Sequence, residues 1–229
     1  MNSFRKNWYY VGAVIFVALA GVLVAFWDDI SMLRKLMIMS YMAVLFHQFE
    51  EYGWPGGFPA IYNMVFRPVG NRPDRCPLNR QSVVVTNVFV AWTHYVLPII
   101  FPEVIWLGFG PLLFGVLQFG FHGIIVNKKM RSIYNPGLFS VIFLFWPLGI
   151  YYVWYVATNG LAQWWDWPLG FAYMLATLIF GVSLPVTHWM KDENSPYAFS
   201  EAEMARFQVR EKVDRLRQGE AKAAATEQA

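Results

Sequence analysis

The chain has 229 residues, of which 57% are hydrophobic, 19% aromatic and only 14% charged, with a formal net charge of +3. A soluble domain carries about 25% charged residues, so an ordinary water-soluble fold is excluded, and the small net charge with high apolar content excludes a disordered or nucleic-acid-binding chain. The single cysteine, Cys76, excludes a fold stapled by internal disulfides.

In chain order, Arg5 and Lys6 precede a first apolar run over 8–27. That layout is shared with signal peptides. The Ala18-Leu19-Ala20 triplet that resembles a cleavage site lies inside the run, with Val22-Leu23-Val24 still to come, so the segment reads as a retained span. Further spans are expected over 32–52, 82–101, 104–126, 136–157 and 164–189 (or 169–189), each close to the roughly 20 residues that cross about 30 Å at about 1.5 Å per residue. Pro136 and Pro168 stand where first-turn prolines are tolerated, and the Trp164-Trp165-Asp166-Trp167 cluster reads as an interfacial aromatic belt. Glu103 and Asp166, at the same level, are expected to be solvated.

The expected architecture is an all-α polytopic membrane protein. A six-helix transmembrane domain fills 1–190, and a charged, partly helical tail fills 191–229. Between the second and third spans, 53–81 carries Gly-Trp-Pro-Gly-Gly-Phe-Pro, a short apolar piece at 60–66 and a basic stretch at 67–80. This reads as a turn, an interfacial helix and a positive loop facing anionic headgroups. In the tail, Ser200 with Glu203 forms a capping-box pattern that opens a surface helix, followed by a frayed end beyond Lys222. Placing the N-terminus in the cytoplasm puts sixteen of the eighteen Lys and Arg on that side and leaves only Arg34 and Lys35 outside, so both termini are expected to be cytoplasmic. The expected location is a bacterial inner membrane.

Polar residues inside the spans carry the functional signal. The uninterrupted apolar run of the second span, 36–46, covers roughly 16 Å at 1.5 Å per residue, about half of the hydrocarbon thickness. The helix crosses only if His47-Gln48-Phe49-Glu50-Glu51 continues it at membrane depth. Two adjacent carboxylates are costly there, which marks them as a candidate site. At about 100° per residue, His47, Glu50 and Glu51 share an arc of roughly 100°. The third span adds Asn87 and His94, and the fourth adds Gln118 and His122 at i, i+4. With alternating helix directions these residues fall in the cytoplasmic half, His94 deeper than the rest.

The run His47-Gln48-Phe49-Glu50-Glu51 resembles the His-x-x-Glu-Glu signature of the HXXEE-domain family of small multi-span membrane proteins. The resemblance implies the multi-span fold and supplies no reaction, so chemistry is read from the residues. Histidines with carboxylates suit a divalent metal, zinc first, with iron or manganese as alternatives. His47, His94 and His122 are the expected ligands with Glu51 or Glu50, and the other glutamate is a candidate base. Both glutamates are thus candidate catalytic residues, and Asn87 and Gln118 would bind substrate or orient ligands. Against this stands a polar network that only fixes helix packing.

The leading functional expectation is a metal-dependent membrane hydrolase acting on an apolar or lipid-like small molecule within the bilayer. Two alternatives stay open: a metal-free isomerase or cyclase using the paired glutamates and a buried histidine, and a transporter or metal-ion carrier. No nucleic-acid partner is expected, and a homo-oligomer is compatible with the sequence. His188 reads as an interfacial residue.

Overall fold

The computed structural model describes residues 2–227, with side chains described from 3 to 219, and every regular element among the described residues is helical. The elements are α1 (Asn2–Ala25), α2 (Met32–Tyr52), α3 (58–66), α4 (Arg80–Ile100), α5 (Ile105–Met130), α6 (Leu138–Thr158), α7 (Asp166–Trp189), α8 (Glu201–Met204) and α9 (Val209–Glu227). Local chemistry starts several of them. Ser31 accepts the Arg34 N–H at the start of α2, and Asn79 with Ser82 forms a full capping box at α4. The expected Ser200–Glu203 box is present at α8.

Five helices, α1, α4, α5, α6 and α7, are long and apolar enough to cross a membrane. Their outer faces carry the exposed large apolar side chains, among them Val17, Phe89, Leu117, Ile150 and Phe180. Such faces suit contact with lipid. The expected sixth span, α2, has the bounds read from the sequence but not the composition of the others. Arg34 and Lys35 lie near one end and His47, Gln48, Glu50 and Glu51 near the other, which lowers its hydropathy. Fourteen of its 21 residues are buried, and none of its large apolar side chains is exposed. Helix α2 is therefore the central one, packed against α1, α4, α5 and α6. Because its neighbours cover it, it carries polar side chains that a lipid-facing helix of equal length does not tolerate.

The N-terminal turns of α1 and the C-terminal end of α2 meet at one end of the bundle, where Trp8 packs edge-on against Tyr52. The same end holds the start of α4, where Arg5 donates to Gln81, and the end of α7, where Asn79 donates to the Met190 carbonyl. It also holds the end of α5, where Lys129 donates to the Val65 and Phe66 carbonyls.

The tail docks onto this end rather than standing apart as a surface helix. Phe199, Met204, Val209 and Val213 are buried with Ala60, Ile61, Val126 and Met130. An ion pair joins Arg80 to Glu203, and the Arg206 guanidinium donates to the Tyr52 carbonyl. The single helix expected from Ser200 is broken at Phe207 (φ 58°) and Gln208 (φ 50°). The chain turns there because Arg206 and Phe207 seat on Gly56 and Gly57, where an added Cβ would lie within 2.9 Å of them. Beyond the break α9 runs to Glu227, past the expected frayed end; the Lys222 side chain and residues 228–229 lie outside the described residues. At the opposite end, Asp166 is buried rather than solvated, because its carboxylate accepts the Trp106 and Gln163 N–H groups and ties two helix starts together.

Candidate metal centre

Near the tail end of the bundle, the last turns of α2 face the last turns of α5 and the first turn of α6. His47 and Glu51, one turn apart on α2, present their side chains on one face. His122 comes from α5, within a stretch of wide i→i+5 turns over Gly120–Val126. All three side chains are buried, and their ligand atoms lie within 4.8 Å of one another. The Nε2 atoms of His47 and His122 stand 3.5 Å and 3.3 Å from the same oxygen, Glu51 Oε1. The two imidazole rings are perpendicular with centroids 5.1 Å apart. Neither Nε2 has a hydrogen-bond partner.

The other nitrogen of each ring is anchored. His47 Nδ1 is 2.8 Å from Ser140 Oγ on α6, and His122 Nδ1 is 2.7 Å from Asn135 Oδ1 in the α5–α6 loop. Buried polar atoms are nearly always partnered, so two orphaned nitrogens facing one carboxylate oxygen are a rare arrangement. It is the pattern of metal-binding imidazoles, which bond outward through one nitrogen and offer the other to the ion. Two imidazoles and a carboxylate fit zinc in a catalytic three-ligand site, and they also fit non-haem iron. Gly137, which precedes α6, completes the wall. Its φ of +105° favours glycine, and an added Cβ would lie 2.4 Å from His122 Cε1.

Glu50 lies beside this group but is fully engaged elsewhere. Its Oε1 accepts the Tyr134 hydroxyl at 2.9 Å and the Phe139 N–H at 3.1 Å, while its Oε2 accepts the Ser140 N–H at 3.0 Å and hydroxyl at 2.7 Å. It caps the first turn of α6 from outside the helix, where a negative charge meets the positive end of the helix dipole. Burial raises the Tyr134 hydroxyl well above its usual pKa, and the Glu50 charge adds to the effect, so this phenol stays a proton donor.

The remaining sequence candidates lie apart from the group. His94 is seven residues beyond Asn87 on α4, about 10 Å deeper along the helix. It sits beside Tyr173, with Thr177 Oγ1 3.1 Å from its Nδ1, and is not among the converging ligand atoms. Asn87 receives bonds from the Gln48 amide, whose oxygen in turn accepts Trp92 Nε1–H at 2.8 Å, so these three residues stitch α2 to α4. Gln118, one turn deeper than His122, is partly buried and not part of the group. His188 is exposed at the end of α7, as expected. Sequence reading missed Tyr134, Asn135, Gly137 and Ser140. The available signal is the cluster of polar and turn-forming residues over 134–140, of which the expected span takes in only 136–140.

A family model described as "protein of unknown function with HXXEE motif" matches residues 38–152, half of the chain. That segment contains every residue of the centre and its anchors. No curated protein and no solved structure matches.

Proposed function

This chain belongs to the HXXEE family, and we propose that it is an integral-membrane, metal-dependent enzyme that hydrolyses an apolar or lipid-like substrate at the His47–Glu51–His122 centre. The observation that carries the reading is the pair of buried, unpartnered Nε2 atoms aimed at one oxygen of Glu51. Zinc is the first choice of ion because hydrolysis needs no redox chemistry and two imidazoles with a carboxylate leave a coordination position open. A divalent ion held there supplies Lewis acidity and activates water.

The residues of the chain supply the rest. His47 and His122 would hold the ion through Nε2, and Glu51 would contribute charge through Oε1. Because four donors occupy Glu50, proton transfer in hydrolysis falls to Glu51, the second carboxylate of the motif. Burial of all three ligands keeps bulk water away. An apolar groove of about 430 Å³ on the flank of the bundle supports the substrate class. It runs between α1, α2 and α6, and Phe46 and Phe139, the neighbours of His47 and Ser140, line it. The metal-free isomerase reading uses both glutamates of the pair as proton donor and acceptor, and Glu50 is committed to α6 instead.

In this reading α2 crosses the membrane with the five apolar helices, shielded by α1, α4, α5 and α6. The end that gathers sixteen of the eighteen Lys and Arg faces the cytoplasm with both termini. Metal analysis of detergent-purified protein tests the centre: about one equivalent of a transition metal is expected in wild type, falling with His47→Ala, His122→Ala or Glu51→Gln. Less than about a tenth of an equivalent in wild type handled without chelator overturns the metal.

A further inference from the structure

Each imidazole at the centre has two nitrogens, and only one of them faces Glu51. In a neutral ring the site of the proton decides whether the facing nitrogen offers a lone pair or an N–H that blocks the position.

For His47 the neighbour that decides is Ser140. Its hydroxyl has one proton and two acceptors within reach, Glu50 Oε2 at 2.7 Å and the Gly137 carbonyl at 2.9 Å. Glu50 Oε2 already accepts the Ser140 N–H and a backbone carbonyl cannot donate, so these two oxygens stand as acceptors of the serine proton, and the 2.8 Å bond between Ser140 Oγ and His47 Nδ1 is donated by the ring. For His122 the neighbour is Asn135. Its amide nitrogen donates to the His122 carbonyl and to Asn127 Oδ1, both at 2.7 Å. That fixes the orientation of the amide and leaves Asn135 Oδ1 as the acceptor facing His122 Nδ1 at 2.7 Å.

We propose that Ser140 and Asn135 are the positioning residues of this centre, holding His47 and His122 as Nδ1–H tautomers, and that Glu50 serves it by clamping Ser140 rather than as ligand or base. The need for such a device follows from the geometry. Without Ser140, Glu51 Oε1, 3.5 Å from Nε2, competes with the Gly137 carbonyl for the ring proton of His47. A proton drawn to Glu51 would occupy the face that has to stay open. The two adjacent glutamates thus divide their work: Glu51 faces the rings, and Glu50 holds the turn that orients one of them. The consequence for ion affinity rests on the metal reading above, whereas the tautomers do not.

The test is nitrogen NMR of the full chain in detergent, labelled with ¹⁵N-histidine, free of metal and at a pH well above the histidine range. Single His→Gln variants assign the four histidines. In wild type, both His47 and His122 are expected to show a protonated Nδ1 and a bare Nε2. Ser140→Ala is expected to move the His47 proton to Nε2, leave His122 unchanged, and weaken zinc binding about ten- to a hundredfold, with Ser140→Thr restoring both. Asn135→Ala is expected to act in the same way on His122 alone. An Nε2–H on either ring in wild type overturns the proposal, a measurement that needs no variant to fold. So does a folded Ser140→Ala protein with an unchanged His47 tautomer. A wild type that shows both Nδ1–H tautomers yet takes up no zinc defeats the metal reading and supports this one.

Discussion

Replacing Gly137 with alanine probes the centre from a residue that ligates nothing. An added Cβ would lie 2.4 Å from His122 Cε1 and 2.8 Å from both ring nitrogens. That is about 1 Å inside the ordinary carbon contact of roughly 3.5 Å, so the ring has to retreat by about that much. Its Nδ1 is tied to Asn135 at 2.7 Å and its Nε2 stands 3.3 Å from Glu51 Oε1, so the movement breaks one relation or the other. Disturbing the outer contacts of a metal-bound histidine costs about ten- to a hundredfold in affinity, which is about 1.4–2.7 kcal/mol. A separate cost is conformational, because φ at Gly137 is +105° and a side chain there is strained by about 1–3 kcal/mol.

Gly160 separates the two effects. Its φ is +64°, and nothing lies within 4 Å of its Cβ position, so Gly160→Ala carries backbone strain without displacing a ligand. Calorimetric titration of zinc into metal-free protein, alongside unfolding in detergent, reads both quantities. Gly137→Ala is expected to lose stability and zinc affinity together, and Gly160→Ala to lose stability alone. Zinc affinity within about twofold of wild type in a folded Gly137→Ala protein would refute the placement of His122 in the centre.

Three further outcomes follow from the same geometry. His94→Ala is expected to leave zinc uptake near one equivalent, measured by metal analysis, because His94 stands apart from the converging ligands; a loss of metal would restore it as a ligand. Glu50→Gln places an amide NH₂ among four donors and is expected to cost about 1–3 kcal/mol in unfolding free energy, so an unchanged stability contradicts the clamp. At the tail, burial by itself raises the pKa of Glu203, but the bonds from Arg80 and Ser200 outweigh it and hold the carboxyl below its ordinary value. A depressed folded pKa means that the stability is present above the unfolded value of about 4.3 and is lost as pH falls through the folded one. Amide exchange over 200–213 is therefore expected to rise below about pH 4, and Arg80→Gln to raise it already at neutral pH. Exchange in Arg80→Gln that matches wild type at neutral pH would count against this contact.

Much of the fold was legible in one dimension. Crossing a bilayer sets helix length and apolar content, and the six long helices lie close to the expected bounds, with α2 at 32–52 as read. The capping boxes at Asn79 and Ser200 are local as well, since each involves residues three apart. The pairing of His47 with Glu51 on one helix face follows from the 3.6-residue period alone.

What lay beyond the sequence depends on how helices rotate and slide against one another. Hydropathy marked α2 as the least membrane-like of the long helices, and packing made it the central one. The sequence places His94 deeper than His122 but offers both as ligands, and the packing seats His94 against Tyr173 and Thr177, apart from Glu51. Glu50 and Glu51 are neighbours with one chemistry, and the 100° between them turns one toward two histidines and the other toward the start of α6. The bond that orients His47 joins residues 93 positions apart. Such a partner is chosen by the three-dimensional register of α2 against α6, and side-chain packing fixes that register, whereas the sequence alone determines which stretches become helices and which of their faces are polar.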